Sequence, residues 1–180
     1  MRVFIAIEFS DEIKNYLNEI KDIVIKESKS GSFTAKENFH LTLKFIGEVN
    51  ESQLESIKGC IDKVAINQKD FEFNFSNLGE FPRGNKKIIW IGLQANEKLY
   101  NLYLKLEETL ADISIKKEDI ELKPHITIGR QIVLEGDFNK LKENINIDDM
   151  CTFVNKISLM QSTRVNGELK YLPIYSKLLK

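Results

Sequence analysis

His40-Leu41-Thr42-Leu43 and His125-Ile126-Thr127-Ile128 between them hold both histidines of this 180-residue chain. The chain has six threonines, so a Thr two residues after each His by chance alone is expected about once in a thousand such chains. Each tetrapeptide reads as a strand, because β-branched and apolar residues alternate with the His and the Thr. Period-two geometry sends those two side chains to one face and the apolar pair to the other. Each strand therefore presents an imidazole and a hydroxyl roughly 7 Å apart. Two such strands facing each other would surround a small group with two proton-transfer residues and two hydrogen-bond donors.

The histidines lie 85 residues apart, and that offset recurs. It carries Arg2-Val3-Phe4-Ile5-Ala6-Ile7 onto Lys87-Ile88-Ile89-Trp90-Ile91-Gly92, and a candidate helix at 11–27 onto one at 96–111. A second candidate helix at 51–65 falls on a segment beginning near Gly136, and Phe71-Glu72-Phe73-Asn74-Phe75 lands close to Val154-Asn155-Lys156-Ile157-Ser158-Leu159. The order of elements repeats although the residues diverge, which predicts one α+β domain over 1–180 built of two pseudo-repeats, about 1–85 and 86–180.

Composition limits the reading. With 42% hydrophobic residues, 180 residues bury one substantial core or two small lobes, with no room for a further domain. A net charge of −1 and a pI near 6.2 argue against gripping long nucleic acid through its backbone, while leaving a nucleotide or a single anionic end as partner. The first residues lack a basic stretch followed by an apolar core, and no apolar run approaches bilayer-spanning length, so a cytoplasmic protein without a membrane role is expected. Cys60 and Cys151 stand apart from any CxxC or metal-ligand spacing and are read as small buried hydrophobes in a reducing compartment.

Along the chain, residues 2–9 read as a buried strand. Ser10 caps a helix whose one face carries Ile13, Leu17, Ile20 and Val24, and residues 28–32 break it. A strand at 39–46 ends at Gly47, and Asn50 or Ser52 caps a helix bearing Leu54, Ile57 and Ile61. Residues 71–78 alternate as a strand, and Phe81-Pro82-Arg83-Gly84-Asn85 reads as a loop. Then come a strand at 87–93 and a helix at 97–111 with Leu99, Leu102, Leu106 and Leu110. Pro124 introduces the second motif strand. A short helix near 137–145 precedes strands at 152–161 and 169–177 around a turn at Asn166-Gly167.

Two imidazoles suit proton transfer in both directions near neutral pH, since one can be neutral while the other is protonated. Thr hydroxyls and an Arg donate to phosphate oxygens. Arg130 follows the second motif and shares its face only if the strand bulges or turns at Gly129. One base taking a proton from water and one acid giving a proton to a leaving alkoxide is the layout for in-line displacement at a phosphodiester, and it demands neither metal nor cofactor. The plainer reading of a His on a strand is packing, and of Thr on a strand, β-propensity; the shared motif and offset favour chemistry. Two His without a third ligand fall short of a zinc site. Arg83, Lys86, Lys87 and Arg164 read as solvated charges and Trp90 as core, although the 81–85 loop and Gln161-Ser162-Thr163-Arg164 correspond in the repeat and could both border a cleft.

At these residues the chain resembles the 2H phosphoesterases, named for two H-x-T-x motifs, and within them the RNA 2′,3′-cyclic phosphodiesterases, also called the 2′-5′ RNA ligase family. The resemblance runs through Arg2-Val3-Phe4-Ile5-Ala6-Ile7, Glu37-Asn38-Phe39-His40-Leu41-Thr42-Leu43-Lys44-Phe45-Ile46-Gly47, Leu78-Gly79-Glu80-Phe81-Pro82-Arg83, Ile89-Trp90, Lys123-Pro124-His125-Ile126-Thr127-Ile128-Gly129-Arg130 and Leu159-Met160-Gln161-Ser162. It implies a bilobal fold of two pseudosymmetric antiparallel sheets flanking a central cleft, with helices on the outer faces. It also implies hydrolysis of RNA terminal 2′,3′-cyclic phosphates to 2′-phosphomonoesters without a metal. In that scheme His40 is the proton donor, His125 the proton acceptor, and Thr42 and Thr127 hold the phosphate; the residues by themselves leave open which His is acid and which is base. RNA ends or small cyclic nucleotides are the expected partners of a monomer. The alternative is a non-catalytic nucleotide or RNA-end binding module, which would need cationic donors more than two titratable rings.

Overall fold

The computed structural model describes residues 1–119, 122–147 and 150–180, and within them nine strands and four α-helices form two antiparallel sheets. The chain runs β1 (Arg2–Glu8), α1 (Asp11–Lys26), β2 (Ser28–Phe33), β3 (His40–Glu48), α2 (Glu51–Ala65), β4 (Phe71–Arg83), β5 (Lys86–Leu93), α3 (Glu97–Ala111), β6 (His125–Leu134), α4 (Phe138–Asn144), β7 (Cys151–Val154), β8 (Lys156–Val165) and β9 (Glu168–Leu178). One sheet has the order β3-β1-β8-β9, the other β2-β6-β5-β4-β7. Helices α2 and α3 cover the first sheet, and α1 and α4 the second. The α+β duplicated architecture follows from the repeated element order. Among the described residues no helix is long and apolar enough to cross a membrane.

Local chemistry sets the helix ends. The Ser10 side chain accepts from the Ile13 amide at 3.3 Å, and Ile13, Leu17, Ile20 and Val24 form the buried stripe of α1. Asn50, not Ser52, caps α2: it accepts from the Gln53 amide at 2.9 Å while Gln53 accepts from the Asn50 amide at 3.0 Å, a reciprocal capping box. Leu99, Leu102, Leu106 and Leu110 are all buried on α3.

One reading of the sequence is extended and two are corrected. Residues 28–32 do lie beyond the end of α1, and they also form most of β2, an edge strand of Ser28-Lys29-Ser30-Gly31-Ser32-Phe33 that is largely exposed. It carries no apolar alternation, and pairing with β6 makes it a strand. Phe81-Pro82-Arg83 continues β4, and only Gly84-Asn85 turns. Pro82 is tolerated because β7 pairs with β4 only at Phe71–Asn74, so one edge there asks for no amide donor. The strand expected at 152–161 is two strands, β7 in the second sheet and β8 in the first, with Asn155 between them.

The first strands also correspond one residue off the expected register. Ala6 lies opposite Thr42 and Trp90 opposite Thr127, so Ala6, not Ile5, matches Trp90. A one-residue slip would turn Ile5 and Ile7, both buried against the helices, toward the cleft. Of the two cysteines, Cys60 is buried as expected, but Cys151 is exposed at the start of β7.

Candidate active site

The two motif strands approach each other where the sheets meet. In β3, Leu41 and Leu43 enter the core while His40 and Thr42 face a cleft of about 880 Å³. In β6, Ile126 and Ile128 enter the core and His125 and Thr127 face the same cleft. Both strands then bulge at the same place: Leu43 is the extra residue against Ile5 and Ala6, and Ile128 against Ile89 and Trp90. The bulge inverts the alternation. Lys44 therefore points inward, where its ammonium reaches Glu107 Oε1 at 2.7 Å and donates to the Lys116 carbonyl at 2.8 Å. Gly129 is buried at the matching position. Phe45 and Arg130, next in each strand, are exposed and both line the cleft. Gln131, with φ 53°, completes the irregularity that carries Arg130 to that side.

Each imidazole is oriented from behind in the same way. His40 Nδ1 lies 2.7 Å from the Asn38 carbonyl and His125 Nδ1 lies 2.7 Å from the Lys123 carbonyl. A carbonyl can only accept, so both Nδ1 atoms carry the hydrogen and the neutral rings turn a bare Nε2 to the other side. His40 Nε2 meets the Thr42 hydroxyl at 2.9 Å. The Thr127 carbonyl accepts from Thr34 Oγ1 at 2.8 Å, which ties the end of β2 to the second motif.

Aromatic rings wall both histidines. Phe4 and Tyr171 stand 4.8 and 5.0 Å from the His40 ring, centroid to centroid. Phe81 and Trp90 stand 5.2 and 6.0 Å from the His125 ring. Burial holds both histidines below their ordinary pKa, partly offset by the carbonyl each bonds; the Arg130 guanidinium pushes the same way as burial, joined at His40 by His125 and Lys14 and at His125 by Lys123.

His40, Thr42, His125, Thr127 and Arg130, expected from the sequence, thus converge on one cleft. Arg164 donates to the Gly167 carbonyl at 2.7 Å in an exposed turn and Lys87 pairs with Glu80. Neither lines the cleft, whereas Ser162, in the segment expected at its border, does. Trp90 is buried, yet it is also the neighbour of His125. Asn38 escaped the sequence reading as an individual residue. Only 5% exposed, its side chain donates to the Leu169 carbonyl at 2.8 Å and accepts from the Tyr171 amide at 3.1 Å, which sets Tyr171 against His40. A polar residue two places before the His was the available signal. Among the described residues no group of three His, Cys, Asp or Glu side chains is placed to hold a metal ion.

Residues 7–90 match the family model described as LigT-like phosphoesterase. The RNA 2′,3′-cyclic phosphodiesterase of Thermotoga maritima is 30% identical over 164 residues, 91% of this chain and 87% of that protein. The chain belongs to this family of 2H phosphoesterases. A second member, the RNA 2′,3′-cyclic phosphodiesterase of Methanocaldococcus jannaschii, is 32% identical over 146 residues, 81% of this chain and 79% of its own. The family fold spans the whole chain. The crystal structure of Escherichia coli LigT complexed with 3′-AMP superposes with a TM-score of 0.82 at 23% identity, covering 99% of this chain and 97% of that one. A protein of Thermus thermophilus gives 0.83 at 21% identity, covering 99% and 98%.

Proposed function

We propose that the protein hydrolyses RNA terminal 2′,3′-cyclic phosphates to 2′-phosphomonoesters, with His40 as acid and His125 as base. One observation carries this reading: two imidazoles on equivalent strands, each tied at Nδ1 to a carbonyl, turn Nε2 away from that tie in a cleft that also holds Thr42, Thr127 and Arg130. A water oxygen attacks phosphorus in line with the bond to the 3′-oxygen, and His125 Nε2 takes the water's proton. As the bond from phosphorus to the 3′-oxygen breaks, His40 Nε2 gives its proton to the departing alkoxide. The product keeps the phosphate on the 2′-oxygen, and the two rings exchange protons with solvent before the next cycle.

The hydroxyls and the guanidinium have their places in this scheme. Once His40 Nε2 is protonated, Thr42 Oγ1 accepts from it and its own hydrogen becomes available to a phosphate oxygen. Thr127 and Arg130 stabilise the charge growing on the non-bridging oxygens. Burial disfavours the charged form of His40 in the free protein, and the phosphodiester anion favours it. Acid, base and charge stabilisation all come from this chain, and we propose a metal-independent reaction; activity should survive excess EDTA, and complete loss restored by a divalent ion would sink that part of the scheme.

We read the chain as one domain of two pseudo-repeats, about 1–85 and 86–180, acting as a cytoplasmic monomer. The test is incubation of purified protein with 2′,3′-cyclic AMP and with RNA bearing a 2′,3′-cyclic phosphate, followed by phosphorus NMR of the products. The 2′-phosphomonoester is expected. Binding without turnover across the pH range would instead select a nucleotide or RNA-end binding module.

A further inference from the structure

The residue two places before each histidine differs between the repeats. Asn38 and Lys123 are separated by the same 85 residues as the histidines, and each offers its carbonyl to the following Nδ1 at 2.7 Å. Their side chains part company. The Asn38 amide is buried and bonded to the backbone of β9. Lys123 is exposed, and its ammonium sits 5.2 Å above the Phe81 ring and 5.0 Å above the Trp90 ring. Those are the same two rings that pack on His125.

The seat of this ammonium is built into the second sheet. Trp90 faces Gly79 across the β4-β5 pair, and a Cβ at Gly79 would fall 2.2 Å from the indole. Only glycine lets the indole lie there. Phe81, two residues along β4, packs on the indole at 5.0 Å. A cation over two aromatic faces gains from both ring quadrupoles, so the lysine is held close to the backbone that orients His125.

We propose that Lys123 is a positioning residue for the base: seated over Phe81 and Trp90, the two rings that pack on His125, and holding Nδ1 with its own carbonyl, it sets a fixed positive charge beside the imidazole that must take a proton from water. This rests on the reading of His125 as the base. Burial is the larger influence against charge on His125, and Arg130 and Lys123 act in the same direction; His40, Arg2, Glu37, Glu168 and Lys170 also line the cleft, while Phe81 and Trp90 on β4 and β5 add no charge. At the equivalent place beside His40 stands a neutral amide, so the repeats differ in charge at this position while sharing the tie to Nδ1.

Lys123→Met keeps the methylene stem over the rings and removes the charge; Lys123→Arg keeps the charge. Titration of the His125 ring by NMR in the ligand-free protein at low ionic strength, where an exposed charge is least screened, should move upward in Lys123→Met and stay near the wild-type value in Lys123→Arg. The ratio of Lys123→Met to wild-type kcat/KM on 2′,3′-cyclic AMP should then fall as the pH is lowered, because more of the base is protonated. An unmoved His125 titration in Lys123→Met, or a loss independent of pH, overturns the proposal and leaves Lys123 as packing. The NMR arm needs no turnover, so absence of phosphodiesterase activity would count against the proposed function without disguising the effect of the lysine on the ring.

Discussion

General acid and general base each supply about 10² to 10⁴ in rate, so His40→Ala and His125→Ala should each lower kcat by that order while the fold persists. The double variant should lose less than the product of the two, since both act on one transition state; a single variant with near-normal turnover would contradict the paired scheme. The burial of these rings also has a consequence for stability. Both histidines titrate below their ordinary value in the folded chain, so the unfolded chain binds more protons as the pH falls through about 6.5. Folding stability should therefore be fully present above that pH and decline below it, before carboxylates such as Glu8 and Glu37 begin to protonate. His40→Gln should flatten the decline between about pH 6.5 and 5 in thermal melts; an unchanged slope would mean His40 is not held neutral. Asn38 could not be weighed from the sequence, because its worth lies in two bonds to β9, more than 130 residues away.

Strand patterning foretold which face of each motif meets the core, but the bulges after Thr42 and Thr127 belong to no periodicity. They bring Arg130 to the cleft and send Lys44 into the interior, and they exist because β1 and β5 offer one residue where β3 and β6 offer two. Edge strand β2 was likewise hidden, since a run of serines becomes a strand only beside a partner. The β4-β5 pair yields a test at this scale. Gly79→Ala places a methyl against the indole, and overpacking of this kind costs about 1–3 kcal/mol. Because Trp90 is the one tryptophan of the chain, its fluorescence reports the site directly. Gly79→Ala should lower the melting temperature and shift the emission, and kcat should fall as the ring beside His125 is displaced; a variant with native emission and stability would show that the indole has room to move.

At the scale of the molecule, each half lends two strands to the other half's sheet. The first sheet takes β1 and β3 from the first half and β8 and β9 from the second, while β2 and β4 of the first half complete the sheet of β5, β6 and β7. The helices follow the same exchange, α1 packing on β2 and β6 and α3 on β3. Residues 1–85 and 86–180 expressed separately should each lack circular-dichroism signals of a folded sheet, and the intact chain should unfold in one transition; two independent melts would contradict the interlocked arrangement. The two His-Thr strands, the apolar stripes of the helices, the Ser10 cap and the repeated order were all legible in the chain as written, because each is a local pattern read out by backbone period and side-chain type. Folding in three dimensions was needed to assign each strand to its sheet, to set the one-residue register of β1 against its repeat, to form the bulges, and to bring up the aromatic rings that wall the two imidazoles. Those depend on partners distant along the chain, and pairing and packing, unlike periodicity, are properties of two segments at once.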